Sequence, residues 1–166
     1  MASHAAATGG GGEAPPASVW KPAATVAAVI ERDGLFLLVE EVSNGRRVLN
    51  QPAGHLDPGE SLVQACVRET LEETGYAFRP QALVGIYRWV YTPADSTFLR
   101  FAFAGEVGAL DASRALDREI VCTHWLSRES LAARADMHRS PLVMRCVDDY
   151  LAGKRFALDV FSAEFA

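Results

Sequence analysis

The pattern of apolar and polar positions predicts a chain in which strands dominate the first two thirds. Between residues 25 and 51, apolar and β-branched runs are separated by Asp33-Gly34 and Asn44-Gly45, dipeptides that favour tight hairpin turns. Further along, residues 98–103 alternate between two faces, as half-buried strands do. The predicted strands cover residues 25–30, 35–40, 48–51, 83–91, 98–106 and 120–126.

Capping residues mark the places where three helices begin. Ser61 is followed three residues later by Gln64, the spacing of a capping box, and Gly75 is the type of residue that ends a helix. In the last third of the chain, Ser127 and Ser140-Pro141 stand at the starts of two more helices. This order of elements predicts an α+β fold, an α/β/α sandwich in which helices flank a mixed β-sheet.

Length and composition are those of one globular domain. The sequence has 166 residues, of which 49% are hydrophobic and 22% charged. Residues 1–18 are mostly Ala, Gly, Ser and Pro, so we predict a flexible tail there and a single domain over residues 19–166. The three cysteines, Cys66, Cys122 and Cys146, are far apart and odd in number, which predicts free thiols and a cytoplasmic location.

Charge and hydropathy argue against two classes of partner. The chain has 16 Lys and Arg against 21 Asp and Glu, a net charge of −5. We therefore expect no nucleic-acid partner, because binding to a phosphate backbone needs a basic surface. We also expect no membrane partner, since the sequence lacks the run of about 18 apolar residues that a spanning helix requires.

The helix that follows Ser61 carries three carboxylates on one side. Glu69, Glu72 and Glu73 are spaced i, i+3 and i+4, so their like charges repel one another. A divalent cation relieves that repulsion, and carboxylate oxygens suit Mg²⁺, with Mn²⁺ as a substitute. The alternative interpretation is a solvated acidic surface. The opposite side, predicted to pack against the sheet, consists of Val63, Val67, Thr70, Leu71 and Thr74.

The loop before this helix completes a motif with fixed spacing, G-x5-E-x7-R-E-x-x-E-E-x-G. Its seven fixed positions are occupied by Gly54, Glu60, Arg68, Glu69, Glu72, Glu73 and Gly75. The motif resembles the Nudix box of the Nudix hydrolases, and seven matches at fixed spacing make the resemblance specific. It departs from the usual box only at Thr70 and Tyr76, neither of which is a ligand position. The resemblance implies the Nudix fold and a loop–helix–loop that binds Mg²⁺ and hydrolyses a diphosphate linkage.

The same resemblance implies a set of metal ligands. Glu69, Glu72 and Glu73 would bind the ion through their carboxylates, and the Gly54 carbonyl would be a further ligand. Members of the family often have a late acidic ligand near the position of Glu119, which directly precedes the strand predicted at 120–126. Glu119 is therefore a further candidate, and a plain surface charge is the alternative for it.

Roles in catalysis and in holding the loop are implied in the same way. Arg68 would hold a carboxylate in place, Glu60 would brace the loop by pairing with Arg68, and Gly75 would end the helix. One carboxylate has to accept the proton of the attacking water. Glu69 and Glu72 are the first candidates for this general base, and Glu119 is an outside candidate.

Five further residues are candidates for contacts with the substrate. Tyr87 and Trp89 alternate along a strand and share a sheet face, where they would either stack on a base or pack in the sheet. Arg100 stands in an apolar strand and Arg139 precedes a helix start, settings in which arginine binds phosphate or lies at the rim. His55 follows the first glycine of the motif and would either reach the substrate or pack.

Weaker local matches extend the resemblance over residues 21–161, to a branch of small bacterial phosphatases within the family. That branch implies a monomer that removes the terminal phosphate from hydroxymethylpyrimidine diphosphate, thiamine diphosphate and nucleoside di- or triphosphates. The first alternative is a pyrophosphatase that cleaves an internal diphosphate linkage, as in ADP-ribose or a dinucleotide. The remote alternative is a nucleotide-sensing module without catalysis, which the presence of all three box glutamates disfavours.

Overall fold

The computed structural model describes residues 19–161, and the tail predicted at 1–18 lies outside the described residues. Seven strands and three α-helices are present in the described range. The strands are β1 (Ala23–Arg32), β2 (Leu35–Ser43), β3 (Arg46–Asn50), β4 (Ala53–His55), β5 (Tyr76–Tyr91), β6 (Ser96–Leu110) and β7 (Ile120–Ser127). The helices are α1 (Leu62–Thr74), α2 (Arg128–Ala132) and α3 (Leu142–Leu151).

The strands form one mixed sheet in the order β3-β2-β1-β6-β5, with β4 beside β1 and β7 beside β2. Only β1 and β6 pair in parallel among these strands. Both predicted hairpin turns are confirmed, because Asp33-Gly34 and Asn44-Gly45 have positive φ at both positions (53° and 79°, 51° and 73°).

Strand β1 divides the core into two halves. Val26, Ala28 and Ile30 contribute to the cluster under α1, while Ala27 and Val29 contribute to the cluster under α3. All five side chains are almost fully buried, as expected for a central strand with a helical layer on each face. The predicted α/β/α sandwich is therefore confirmed.

Strands β5 and β6 are longer than the sequence pattern predicts. The ladder between them runs from Tyr76, paired with Leu110, to Tyr91 and contains three register shifts. One shift lies at Pro80, opposite Gly105, where an added Cβ would lie only 2.2 Å from the carbonyl oxygen of Arg79. The bulges break the alternation of side chains, so the periodic signal is lost although the strands continue.

The predicted ends of α1 are confirmed. The Ser61 hydroxyl accepts a hydrogen bond from the Gln64 backbone N–H (3.1 Å), and the Ser61 N–H donates to the Gln64 side chain (2.7 Å). At the other end Gly75 has a φ of 73° and closes the last turn. Both ends of the glutamate-bearing helix are therefore fixed by local chemistry.

The prediction for the buried side of α1 was wrong in part. Val63 and Val67 pack against the core cluster as expected but are only half-buried, and so is Leu71, whereas Thr70 and Thr74 are buried. Small side chains let the helix approach the sheet on its other side, which carries two of the glutamates. The buried residues of α1 are Ala65, Cys66, Glu69, Thr70, Glu73 and Thr74.

One carboxylate joins α3 to the sheet. Asp149 accepts hydrogen bonds from the Tyr87 hydroxyl on β5 (3.0 Å), from Arg145 (2.8 Å) and from Lys154 (2.9 Å). Burial by itself would raise the pKa of Asp149, but these three donors outweigh it and lower the pKa to about 2. Ionised Asp149 therefore stabilises the folded state.

We expect Asp149→Asn to reduce the free energy of unfolding by about 1–2 kcal/mol at neutral pH, allowing for screening of the exposed cations. The folded pKa lies below the ordinary value of 3.8, so this stabilisation is present above that value and disappears as the pH falls towards 2. Urea unfolding of both proteins at several pH values measures the difference. Asp148→Asn is the matched control, because that more exposed carboxylate pairs with Arg128 alone. A difference that does not shrink in acid would contradict the assignment.

Candidate active site

A cleft of about 390 Å³ opens beside α1, between β4, the ends of β1 and β6, and the loop at 111–119. Besides Asp57 in the loop before α1, five carboxylates line it, and Glu69 and Glu73 among them are buried. Two arginines and two aromatic side chains complete the part of the lining that bears on chemistry. These groups are Glu41, Glu69, Glu73, Asp117, Glu119, Arg100, Arg139, Trp89 and Phe98.

Arg68 joins the loop before α1 to the carboxylates of the helix. Its guanidinium donates to both oxygens of Glu60 (2.7 and 3.0 Å), to Glu69 (2.8 Å) and to Glu72 (3.1 Å). A further N–H donates to the His55 carbonyl (3.0 Å). Hydrogen bonds from Arg68 lower the pKa of Glu60 and keep it ionised. The loop and two of the box carboxylates are thus fixed relative to each other.

Gly54 lets Glu69 lie directly against strand β4. A Cβ added at Gly54 would stand 2.0 Å from the Glu69 carboxyl carbon, so no larger residue fits without displacing that carboxylate. Burial raises the pKa of Glu69, and the hydrogen bond from Arg68 opposes the shift. The Glu69 carboxylate is therefore held at a position where a bound cation would stabilise its negative charge.

Glu73 lies deeper in the same side of the helix and has a different partner. Its Oε2 accepts a hydrogen bond from the Ala53 N–H (2.8 Å). Burial raises the pKa of Glu73 to about 9, although the Ala53 hydrogen bond opposes the shift. Glu73 therefore holds β4 against α1 as well as lining the cleft.

Three carboxylates converge closely enough to share one cation. Oxygens of Glu69, Glu72 and Asp117 all lie within 4.8 Å of one another. The loop reaches α1 because the Asp117 N–H donates to the Glu72 backbone carbonyl (3.0 Å). Hard oxygen donors in a group of like charges, one of them seated against a glycine, fit a divalent cation such as Mg²⁺.

The structure places two of the predicted metal ligands outside this group. Glu73 and Glu119 line the cleft, but the group of three contains Asp117 instead. The family resemblance points to Glu119, because members often have a late acidic ligand directly before a strand at this position. Asp117 lies in a loop without periodic pattern, and a backbone contact with a residue 45 positions earlier brings it to α1. No local sequence signal identifies such a contact.

Arg100 is a buried cation in the cleft. It is 8% exposed, and its guanidinium makes a long hydrogen bond to the Asn50 side chain (3.4 Å). Within residues 19–161 no carboxylate lies within salt-bridge distance of it, and burial lowers its pKa. Arg139, by contrast, pairs with Glu41 (3.4 Å) and contacts Ser43. A buried guanidinium without a carboxylate partner is suited to receive an anion.

Strand β1 adds a polar group that the sequence analysis missed. Thr25 is paired with Arg100 in the β1–β6 register and lines the cleft, and its buried hydroxyl has no hydrogen-bond partner among the described residues. Glu41 and Asn50 were missed as well. Each of the three is a polar residue at or near the end of an apolar strand, a pattern that ordinary solvent-exposed strand ends share.

Aromatic side chains form an apolar wall at one side of the cleft. Trp89 stacks on Phe98 with ring centroids 5.4 Å apart, and the His55 ring lies 6.3 Å from Phe98. The prediction that Tyr87 lies with Trp89 at the substrate site does not agree with the structure. Tyr87 packs under α3 and donates to Asp149, because β5 is covered by α3 at that position.

The fold and the box-bearing helix beside an acidic cleft define a class of phosphoanhydride hydrolases. The sequence profile of the NUDIX domain matches residues 20–146. The chain belongs to the Nudix hydrolase family, whose members act on phosphorus-containing anhydrides of small molecules and generally use divalent metal ions. The family assignment confirms the resemblance seen in the sequence and makes the protein an enzyme.

Three proteins show how similar the chain is to individual relatives. Phosphatase NudJ of Escherichia coli strain K12 is 40% identical over 142 residues, which cover 86% of this chain and 92% of that protein. A NUDIX hydrolase from Nitrosomonas europaea has a TM-score of 0.85 at 53% identity, covering 87% and 98% of the two chains. The MutT protein of Methanosarcina mazei has a TM-score of 0.64 at 27% identity, covering 83% and 100%.

No helix in the described residues has the length and apolar character needed to cross a membrane.

We expect Gly54→Ala to weaken the binding of divalent cations by about 10-fold or more, because the new methyl group displaces the Glu69 carboxylate. Titration of the protein with Mn²⁺, followed by the loss of the free-ion electron paramagnetic resonance signal, measures the affinity. Gly108→Ala is the control, since its Cβ would meet only the Ala77 carbonyl at 3.9 Å. Equal Mn²⁺ affinity of the two variants would show that the contact with Gly54 does not position a ligand.

Proposed function

We propose that the protein is a Mg²⁺-dependent phosphatase that removes the terminal phosphate of small diphosphates. The candidate substrates are hydroxymethylpyrimidine diphosphate, thiamine diphosphate and nucleoside di- and triphosphates. One observation carries the proposal: the buried Arg100, which has no carboxylate partner within residues 19–161, lines the same cleft as Glu69 and Asp117, two of the three converging carboxylates. A phosphorylated substrate complements both sets of charges. The 40% identity to a protein named as a phosphatase supports attack at the terminal phosphorus.

The metal ion is assigned to the three converging carboxylates. Glu69, Glu72 and Asp117 would hold it, with the Gly54 carbonyl as a further donor beside Glu69. When bound, Mg²⁺ supplies charge neutralisation and Lewis-acid activation at the phosphoryl oxygens. Its hard-ligand preference matches a group made only of oxygen donors, and Mn²⁺ shares that preference. Glu73, which is engaged with Ala53, holds the helix close to β4.

Side chains of the protein carry out the remaining steps, which are proton transfer and phosphate binding. Glu69 or Glu72 accepts the proton of the attacking water, and Arg68 keeps both carboxylates oriented through its hydrogen bonds. Arg100 and Arg139 bind the phosphate groups, because a guanidinium presents paired donors to phosphate oxygens.

The rest of the substrate meets a surface of different character. Trp89 and Phe98 offer an aromatic surface to a pyrimidine or purine ring, with His55 at its edge. The cleft thus pairs a polar end for the diphosphate with an apolar wall for the ring.

The setting of the reaction follows the sequence-based expectations. We propose a monomer that acts on small molecules and not on nucleic acid, in keeping with a net charge of −5. We also propose a cytoplasmic location, which is supported by the three free thiols of Cys66, Cys122 and Cys146.

Glu72→Gln is expected to lower kcat by about a thousandfold, equivalent to about 4 kcal/mol of activation free energy, because a ligand and candidate base is lost. Glu72 is half-buried on the cleft side of α1, so the fold is expected to remain intact. Steady-state kinetics with Mg²⁺ measure kcat, and circular dichroism checks the fold. A folded variant with nearly full activity would refute the role of Glu72.

Asp117→Asn is expected to raise the Mg²⁺ concentration needed for half-maximal activity by about 10–100-fold. The loop itself should stay in place, because the backbone N–H of Asp117, not its side chain, contacts Glu72. Glu119→Gln, two residues away in the same cleft, is the matched comparison and is expected to change this requirement little. The opposite order of effects would restore Glu119 as the ligand.

Product analysis on a substrate panel tests the proposed reaction. With Mg²⁺, we expect orthophosphate from hydroxymethylpyrimidine diphosphate, thiamine diphosphate or nucleoside di- and triphosphates, and no product from ADP-ribose. Chelation should abolish activity, and Mn²⁺ should restore it. Release of AMP from ADP-ribose would instead assign the enzyme to cleavage of internal linkages.

A further inference from the structure

A second cluster of metal-ligating side chains lies on strands β2 and β7 and takes no part in the lining of the cleft. It consists of Glu40, Cys122 and His124. His124 Nε2 lies 2.9 Å from Glu40 Oε2 and 3.4 Å from Cys122 Sγ, and Cys122 Sγ lies 3.9 Å from Glu40 Oε2. Three different ligand types thus converge on one point.

The register of the sheet explains this convergence. Glu40 is paired directly with Cys122 across the β2–β7 ladder, and His124 is paired with Leu38. Residues two apart on a strand share a face, so Cys122 and His124 both project on the side of Glu40. The arrangement is held by backbone hydrogen bonds of the sheet and does not depend on flexible loops.

The spacing of the three ligand atoms is near that of a tetrahedral site, and the shortest separation is the contact between His124 and Glu40 that an ion would replace. With zinc–ligand bonds of about 2.3 Å to sulfur and about 2.0–2.2 Å to nitrogen and oxygen, neighbouring ligand atoms lie about 3.4–3.6 Å apart. The observed separations of 2.9, 3.4 and 3.9 Å bracket this range. Small side-chain rotations therefore suffice to surround an ion.

The chemistry of the donors selects the class of metal. A thiolate, an imidazole and a carboxylate together suit zinc and other borderline-soft transition metals, and a sulfur ligand disfavours Mg²⁺. The His124 side chain is 29% exposed and that of Glu40 is 10% exposed, so solvent reaches the cluster from one side. That opening leaves room for water as a fourth ligand.

The neighbouring charge is compatible with binding. Arg47 donates to Glu40 Oε1 (3.0 Å), which leaves Oε2 facing Cys122 and His124. The Glu40 carboxylate thus lies between the Arg47 guanidinium and the His124 ring. A metal ion binds the thiolate form of cysteine, so Cys122 would release its proton to solvent when the ion binds.

We propose that Glu40, Cys122 and His124 bind one zinc-class transition-metal ion, at a site separate from the carboxylate group on α1. Such an ion joins the middle of β2 to β7, the strand that follows the loop carrying Asp117. The ion would therefore hold β7, the strand to which that loop leads, against β2, and it would lie outside the cleft. This inference does not depend on which diphosphate the enzyme hydrolyses.

Cobalt is the probe for this site, because a cobalt–thiolate bond has a near-ultraviolet charge-transfer absorption that oxygen ligands do not produce. Titration of the full chain with Co²⁺, in excess Mg²⁺ to fill the carboxylate site, should give this band with saturation at one equivalent. Zn²⁺ should then remove it by displacement. Cys122→Ser should abolish the band, and His124→Asn should weaken Co²⁺ binding by about 10-fold or more.

His138→Asn is the matched control, because that histidine contacts the Leu131 carbonyl and lies outside the cluster. It should keep the band unchanged. A second measurement requires no variant: Zn²⁺ should slow alkylation of Cys122 in the wild-type chain, as mapped by mass spectrometry. Absence of a band at one equivalent, a band that survives Cys122→Ser, or alkylation of Cys122 unaffected by Zn²⁺ would overturn the proposal.

Discussion

Burying several carboxylates on one side of a helix is the constraint around which this active site is built. Helix α1 packs on the side that carries Glu69 and Glu73, so both carboxylates lose the water that would stabilise their negative charge. Three features make the arrangement possible. Small residues of α1 let the helix approach the sheet, Gly54 leaves space for a carboxylate, and Arg68 supplies a cation that contacts several acids at once. A divalent ion bound to these carboxylates would neutralise the negative charge that remains.

The cleft contains charges of both signs. The converging acids lie at the α1 side, while Arg100 and Arg139 are contributed by β6 and by the segment before α3. The arginines would attract the phosphate groups of a substrate directly, whereas the acids would attract them through a bound cation. The aromatic pair of Trp89 and Phe98 adds a surface for the part of the molecule that carries no charge.

Features set by neighbouring residues could be predicted from the sequence, and features set by distant ones could not. The hairpin turns, the capping box at Ser61 and the end of α1 at Gly75 follow from interactions within a few residues. The box motif also identified the family, because its spacing is fixed along one loop and one helix. Asp117 and Thr25 escaped detection, since each becomes part of the cleft only through pairing with a remote segment.

Helical periodicity also misled in one instructive respect. The wheel for α1 placed Val63, Val67 and Leu71 inside, but hydrophobicity alone did not decide which side faces the sheet. A helix that must present acids to a cleft has to turn those acids inward, and its branched apolar residues are then left at the flanks. The difference between the predicted and the observed buried side of α1 therefore indicates which side of the helix carries the functional residues.

The hydrogen bond from the Asp117 N–H to the Glu72 carbonyl has a consequence for variation among relatives. Since both groups belong to the backbone, the path of the loop over α1 is independent of the side chains at these two positions. Apart from Ser113, which hydrogen-bonds to Asp111 (2.6 Å), residues between 112 and 116 can be substituted while the carboxylate keeps its location. A change in loop length cannot be absorbed in the same way, because it would move position 117 off its partner. We therefore expect related chains to vary freely here in composition and little in spacing.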